Sequence, residues 1–198
     1  MEKRVIPHRW HITLSFLPCV PAIVLLTQGM TDALGPDPGR ALVHSLGLWA
    51  LRLLLLTLSI TPLQRFTPIQ WLPLRRTLGL YTLAYAVLHF LCYAIFYLGF
   101  DISGLGHELV KRPYIVVGAS ALALLIPLGV TSTRHWQRRL GRRWKYLHRA
   151  IYGIAPLVLV HFAWQVKAGL GNAPWYALVF FLLMLARYRR RTPLKRRA

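Results

Sequence analysis

Two histidines, His89 and His161, lie well inside long apolar stretches of the chain, where an imidazole surrounded by hydrocarbon is costly unless something binds it. At a rise of ~1.5 Å per residue, His89 stands roughly 18 Å from the start of an apolar stretch at 77–98, and His161 roughly 20 Å beyond His148, near the start of another at 147–166. Their depths match. If both stretches are helices running the same way, facing imidazoles can clamp an iron between them, as in haem sites built between bundle helices. Two strong ligands leave the iron no vacant position, so such a centre transfers electrons rather than binding oxygen or a substrate. The plainer alternative is that each histidine hydrogen-bonds a neighbouring helix, which membrane interiors also permit.

His148 stands thirteen residues before His161, which on an ideal helix turns the two about 140° apart. Gly153 and Pro156 lie between them, and a proline kink could re-phase the imidazoles toward one cavity. A second haem on the His148 side is then conceivable. Arg75 and Arg76, rather than a histidine, occupy the corresponding depth of the third stretch, and an interfacial role for His148 is equally open. His44, at the outer end of the second stretch, suits an iron ligand, a propionate contact or a solvated residue. His8, His11, His107 and His135 fall in terminal or loop regions and are not read as ligands. Arg52, mid-way along the second stretch, is ~13 Å of helix from either interface, too deep for easy snorkelling. A haem propionate, a quinone oxygen or helix carbonyls could satisfy it. Arg75 and Arg76 precede the third stretch, where a helix N-terminus suits a phosphate such as that of a flavin; a topological role explains them as well.

The elements that must position these groups are transmembrane helices. The chain has 198 residues, 56% of them hydrophobic and 15% charged, with a mean hydropathy of +0.44, far too apolar for an ordinary soluble domain. Six stretches, at about 11–28, 43–61, 77–98, 113–131, 147–166 and 173–187, approach the roughly 20 residues a spanning helix needs. Turn-forming segments such as Gly35 to Gly39, Thr61-Pro62, Pro73 and Gly171 to Pro174 separate them. One all-α domain covering 1–198 is expected, its first helix retained rather than cleaved. Cys19 and Cys92 have no CxxC partner and read as small buried hydrophobes.

Lys and Arg are unevenly shared between the joints. Three precede the first stretch, three separate the second and third, seven run from Arg134 through Arg149, and seven lie at and beyond the end of the sixth. Only Arg40, Lys111, Arg112 and Lys167 fall on the other side, so the positive-inside rule puts both termini in the cytoplasm. The net charge of +20 is thus explained by the membrane and does not imply nucleic acid. Trp10, Trp71, Trp136, Trp144 and Trp175 near the stretch ends read as interfacial anchors.

The segments DPGRALVHSLGLWALRLLLLTLSITPLQR, RRTLGLYTLAYAVLHFLCYAIFYLG, RPYIVVGASALALLIPLGVTSTRHWQRRLGRRWKYLHRAIY and HFAWQVK resemble the MsrQ family of ferric reductase-like transmembrane proteins over nearly the whole chain. The resemblance implies a six-helix, ferric reductase-like bundle in the bacterial inner membrane that carries one or two haem b groups on His89, His148 and His161. It implies FMN as a further cofactor, although no residue gives a recognisable flavin fingerprint. It also implies electron delivery from the respiratory quinone pool, or a flavin reductase, to a periplasmic molybdenum-cofactor methionine-sulfoxide reductase, MsrP. Such a pathway reverses a common oxidative lesion of methionine. The chain lacks the second histidine on the third stretch and the nucleotide-binding domain of NADPH-oxidase-like relatives. Two other readings use the same residues: a stand-alone ferric reductase with the same haem ligands, and a transporter or metal channel lined by the histidines and Arg52.

Overall fold

The computed structural model describes residues 8–99, 106, 109–165 and 171–188, and among these the chain is a helical bundle with no sheet. Helix α1 (His8–Phe16) passes through a short 3-10 turn, Leu17–Cys19, into α2 (Val20–Met30). It is followed by α3 (Pro38–Phe66), α4 (Leu72–Phe96), α5 (Pro113–Val130), α6 (Arg134–Leu140), α7 (Arg142–Arg149), α8 (Ile151–Gln165) and α9 (Ala173–Tyr188). Ile12–Met30, α3, α4, α5 and Arg142–Gln165 are long and apolar enough to cross a membrane, and α9 is a shorter apolar sixth. These are the six expected stretches with shifted edges. His107, most of the segment 99–112, the segment 166–170 and the basic run after Tyr188 lie outside the described residues.

The shifts have local causes. Asp37 caps α3 by accepting from the Arg40 N–H at 2.9 Å, with Pro38 pre-organised at the first helical position, so α3 starts five residues earlier than expected. Pro62 does not end it. The Leu58 carbonyl, deprived of its usual donor by Pro62, accepts from the Arg187 guanidinium of α9 instead. Gln64 then staples the α3–α4 turn, its Nε2 donating to Ile69 O and its Oε1 accepting from Trp71 N. Helix α4 likewise begins at Leu72, with Pro73 inside its first turn, so Arg75 and Arg76 lie within the helix rather than ahead of it.

Helix α3 is the axis of the bundle. Half of its most apolar window is buried, against 11–22% for the other long spans. Helix α4 packs along α3, α8 packs along α5, α9 closes against α3 and α8, and α4 meets α5. Leu54 and Leu58 of α3 interlock with Ala121, Leu125 and Leu128 of α5 and with Ile151, Ile154 and Ala155 of α8. Lipid is as apolar as these side chains, so the contacts hold by close packing. Gly129 of α5 allows this at Leu83 of α4, whose Cδ2 would lie 2.2 Å from an added Cβ.

The first span breaks at Leu17–Cys19, with Pro18 inside the break and Pro21 in the first turn after it. The Tyr85 hydroxyl of α4 fills the break, accepting from Ala22 N at 2.9 Å and donating to Pro18 O at 2.7 Å. Cys19 Sγ meets the neighbouring Tyr81 hydroxyl at 2.9 Å. Tyr85 is 2% exposed, and Tyr85→Phe would strand both backbone groups in an apolar setting. We expect that variant to lose about 1 kcal/mol of stability, read as an earlier thermal transition of the detergent-solubilised protein, with the chemistry further along α4 undisturbed.

Candidate haem centre

His89 projects from α4 and His161 from α8, two helices held by different partners, and their rings stand 6.1 Å apart between centroids with planes at 83°. Each ring is fixed from behind in the same way. His89 Nδ1 donates to Val43 O of α3 at 2.8 Å, and His161 Nδ1 donates to Tyr114 O of α5 at 2.7 Å. A carbonyl can only accept, so each proton is on Nδ1 and each Nε2 lone pair is left for a ligand.

A glycine one turn beyond each carbonyl makes the approach possible. A Cβ on Gly47, four residues after Val43, would lie 2.8 Å from His89 Nδ1; one on Gly118, four residues after Tyr114, would lie 2.7 Å from His161 Nδ1 and Cε1. The α3–α4 and α5–α8 pairs therefore carry one device twice: a carbonyl that orients the imidazole and a glycine that makes room for it. Sequence reading found the histidines and missed Gly47, Gly118, Val43 and Tyr114. The available signal was a glycine in the N-terminal part of the second and of the fourth apolar stretch.

Two imidazoles bound to opposite faces of one metal, through bonds of about 2 Å, hold their ring centres about 6 Å apart, which is the spacing of this pair. Among the described residues no group of three or more His, Cys, Asp or Glu is placed to hold a bare metal ion. A two-histidine site suits an iron whose remaining ligands come from a porphyrin, so the residues present fit haem.

The other expected residues lie elsewhere. His148 stacks on Trp144 at 4.0 Å, and its ring nitrogens face Trp144 O and Leu128 O, both at 3.1 Å. Trp144 Nε1 donates to Thr131 O at 2.8 Å, so this pair caps the end of α5; Trp144 is thus more than an interfacial anchor. Leu128 is about 15 Å along α5 from Gly118, well away from the imidazole pair. The chain yields at Ala150, between α7 and α8, and α8 runs unbroken through Pro156. His44 is the exception: it follows Val43 near the N-terminal end of α3, exposed but within electrostatic reach of His89. Arg52, at the midpoint of α3, donates from Nε to Tyr176 OH of α9 at 3.0 Å and lies over the Trp49 ring at 4.8 Å. That pairing gives the partly buried cation a polar and an aromatic partner. Arg75 is partly buried and Arg76 exposed, so the two do not act on one ligand alike.

Residues 46–159 match the family model described as the ferric reductase like transmembrane component. That match includes Gly47, His89, Gly118 and His148 and ends just short of His161. The chain is also 47% identical, over 162 residues, to the protein-methionine-sulfoxide reductase heme-binding subunit MsrQ of Xanthomonas campestris pv. campestris (strain B100), covering 79% of this chain and 72% of that relative. No solved structure matches the chain.

Proposed function

The chain belongs to the ferric reductase-like transmembrane family and, within it, to the MsrQ proteins, and on that premise we propose that it is the haem-binding membrane subunit of a methionine-sulfoxide reductase system. In this reading it takes electrons from the respiratory quinone pool, or from a flavin reductase, and delivers them to a periplasmic partner, MsrP, on which the substrate chemistry takes place. The observation that carries the reading is the His89–His161 pair, backed by Val43 O and Tyr114 O and seated against Gly47 and Gly118.

His89 and His161 would hold haem b; bound there, it supplies a one-electron centre inside the bilayer. With both imidazoles engaged, the group would be left no position for a reactant, which favours electron passage over substrate binding. The carbonyl bonds hold each ring in one tautomer and orientation, limiting rearrangement when charge changes. The basic joints support an orientation with both termini in the cytoplasm of an inner membrane, in which the 29–42, 99–112 and 167–172 segments would face the periplasm for docking. FMN, and a second haem near His148, belong to the proposal on family grounds.

Membrane vesicles carrying the chain, supplied with quinol and purified partner, are expected to reduce a methionine-sulfoxide peptide, with His89→Ala and His161→Ala inactive. Reduction of ferric chelates at full rate without the partner would instead favour a stand-alone ferric reductase. For His148→Ala, dithionite should still give the reduced bands of the His89–His161 centre, while reduction by quinol slows about tenfold or more; unchanged quinol reduction would remove His148 from electron entry.

A further inference from the structure

Arginines from three helices converge where α3 and α9 end and α4 begins. Arg187 of α9 donates to Leu58 O and to Tyr152 OH, and Arg65 of α3 donates to Ala186 O. These bonds do not satisfy the side chains. The Nε atoms of Arg65 and Arg187 and the Oγ1 of Thr61 are buried without a hydrogen-bond partner. Thr61 stands one turn before Arg65 and three residues beyond Leu58, a spacing that puts it on the face of α3 that meets the two arginine bonds to and from α9. Arg75 of α4 lies within electrostatic reach of both Arg187 and His148, and Arg65 within reach of Arg187.

No carboxylate balances this charge among the described residues: Asp32 and Asp37 both precede α3, at the opposite end of the bundle. A buried polar group without a partner is costly, and more so when it is charged. Positive-inside topology accounts for exposed cations such as Arg76. It does not account for guanidinium N–H groups turned inward and left unpaired.

We propose that Arg65, Arg75, Arg187 and Thr61 form a binding site for a phosphate group. Guanidinium forks match the oxygens of a phosphate, and the Thr61 hydroxyl adds a donor. The phosphate can belong to the headgroup of an acidic phospholipid in the same leaflet or to a phosphate ester dissolved in the aqueous phase. Arg65 is about 27 Å along α3 from Gly47, so the site stands or falls independently of the haem centre. It also differs from a site on Arg75 and Arg76, because Arg76 faces outward.

The full chain, delipidated in dodecyl maltoside, which carries no phosphate, is titrated separately with phosphatidylglycerol and with inorganic phosphate, following thermal unfolding and, for the lipid, its retention by native mass spectrometry. Stabilisation by phosphatidylglycerol alone identifies a lipid headgroup; stabilisation by inorganic phosphate identifies a soluble ester. In either case Arg75→Gln, which breaks no hydrogen bond described within the bundle, is expected to weaken binding about tenfold, Thr61→Val several-fold, and Arg76→Gln not at all. Absence of any shift with both ligands, or a shift that Arg75→Gln and Thr61→Val leave intact, overturns the site.

Discussion

Changing either His89 or His161 to alanine is expected to leave a chain that folds in the membrane but carries no haem between α4 and α8. The bundle should survive because α4 is held along α3 and α8 along α5, so the two histidine-bearing helices do not depend on a ligand to stay in place. Haem should not survive. Each imidazole is positioned by its own carbonyl, at Val43 and Tyr114; among the other described histidines, His148 is engaged at the other end of α5, and His44, although within electrostatic reach of His89, is exposed. Haem per chain should fall at least tenfold in both variants, measured against protein of unchanged helical content. His89→Gly with added imidazole should regain part of the reduced spectrum, whereas a merely structural role for His89 would leave free imidazole without effect.

The second large effect is expected from residues that never touch iron. Gly118→Ala adds one methyl, yet that carbon would stand 2.7 Å from His161 Nδ1 and Cε1, and in Gly47→Ala it would stand 2.8 Å from His89 Nδ1. These are ring atoms anchored to a backbone carbonyl, so the imidazole must leave its carbonyl or the helices must separate. Either change misaims Nε2. Helix stability cannot explain a loss, because alanine favours helix over glycine by about 1 kcal/mol. Gly79→Ala is the matched control: its Cβ meets Thr57 Cγ2 at 3.8 Å, an ordinary contact, and haem should be retained in full. Gly118→Ala and Gly47→Ala should each lose most of their haem, or keep a residue with the altered spectrum of a displaced ligand. Retention equal to that of Gly79→Ala would show that the glycines are not cradles.

The membrane spans were legible because length and hydropathy are properties of the chain itself, and His89 and His161 because an imidazole is rare in hydrocarbon and both lie at one depth. Their edges were less legible. Pro62 and Pro73 read as breaks, yet Arg187 satisfies the carbonyl that Pro62 frees and Pro73 fits a helix's first turn. Pro156 read as the point of re-phasing, whereas the chain yields at Ala150. The backing groups were illegible for a different reason. Val43 O and Tyr114 O belong to helices distant in sequence from the rings they hold, and Gly47 and Gly118 gain meaning only once α3 lies on α4 and α5 on α8. Arg65 and Arg187 looked like ordinary basic residues at helix ends until their side chains were seen to turn inward.

The most direct test of haem held between His89 and His161 is the absorption spectrum of the purified, detergent-solubilised chain, oxidised and then dithionite-reduced, with a pyridine-haemochrome count on wild type and His161→Ala. Sharp reduced b-type bands in the wild type, with at least one haem per chain lost in the variant, are the predicted result. A colourless wild type that cannot be reconstituted with haem, or a His161→Ala protein with an undiminished count, would contradict it.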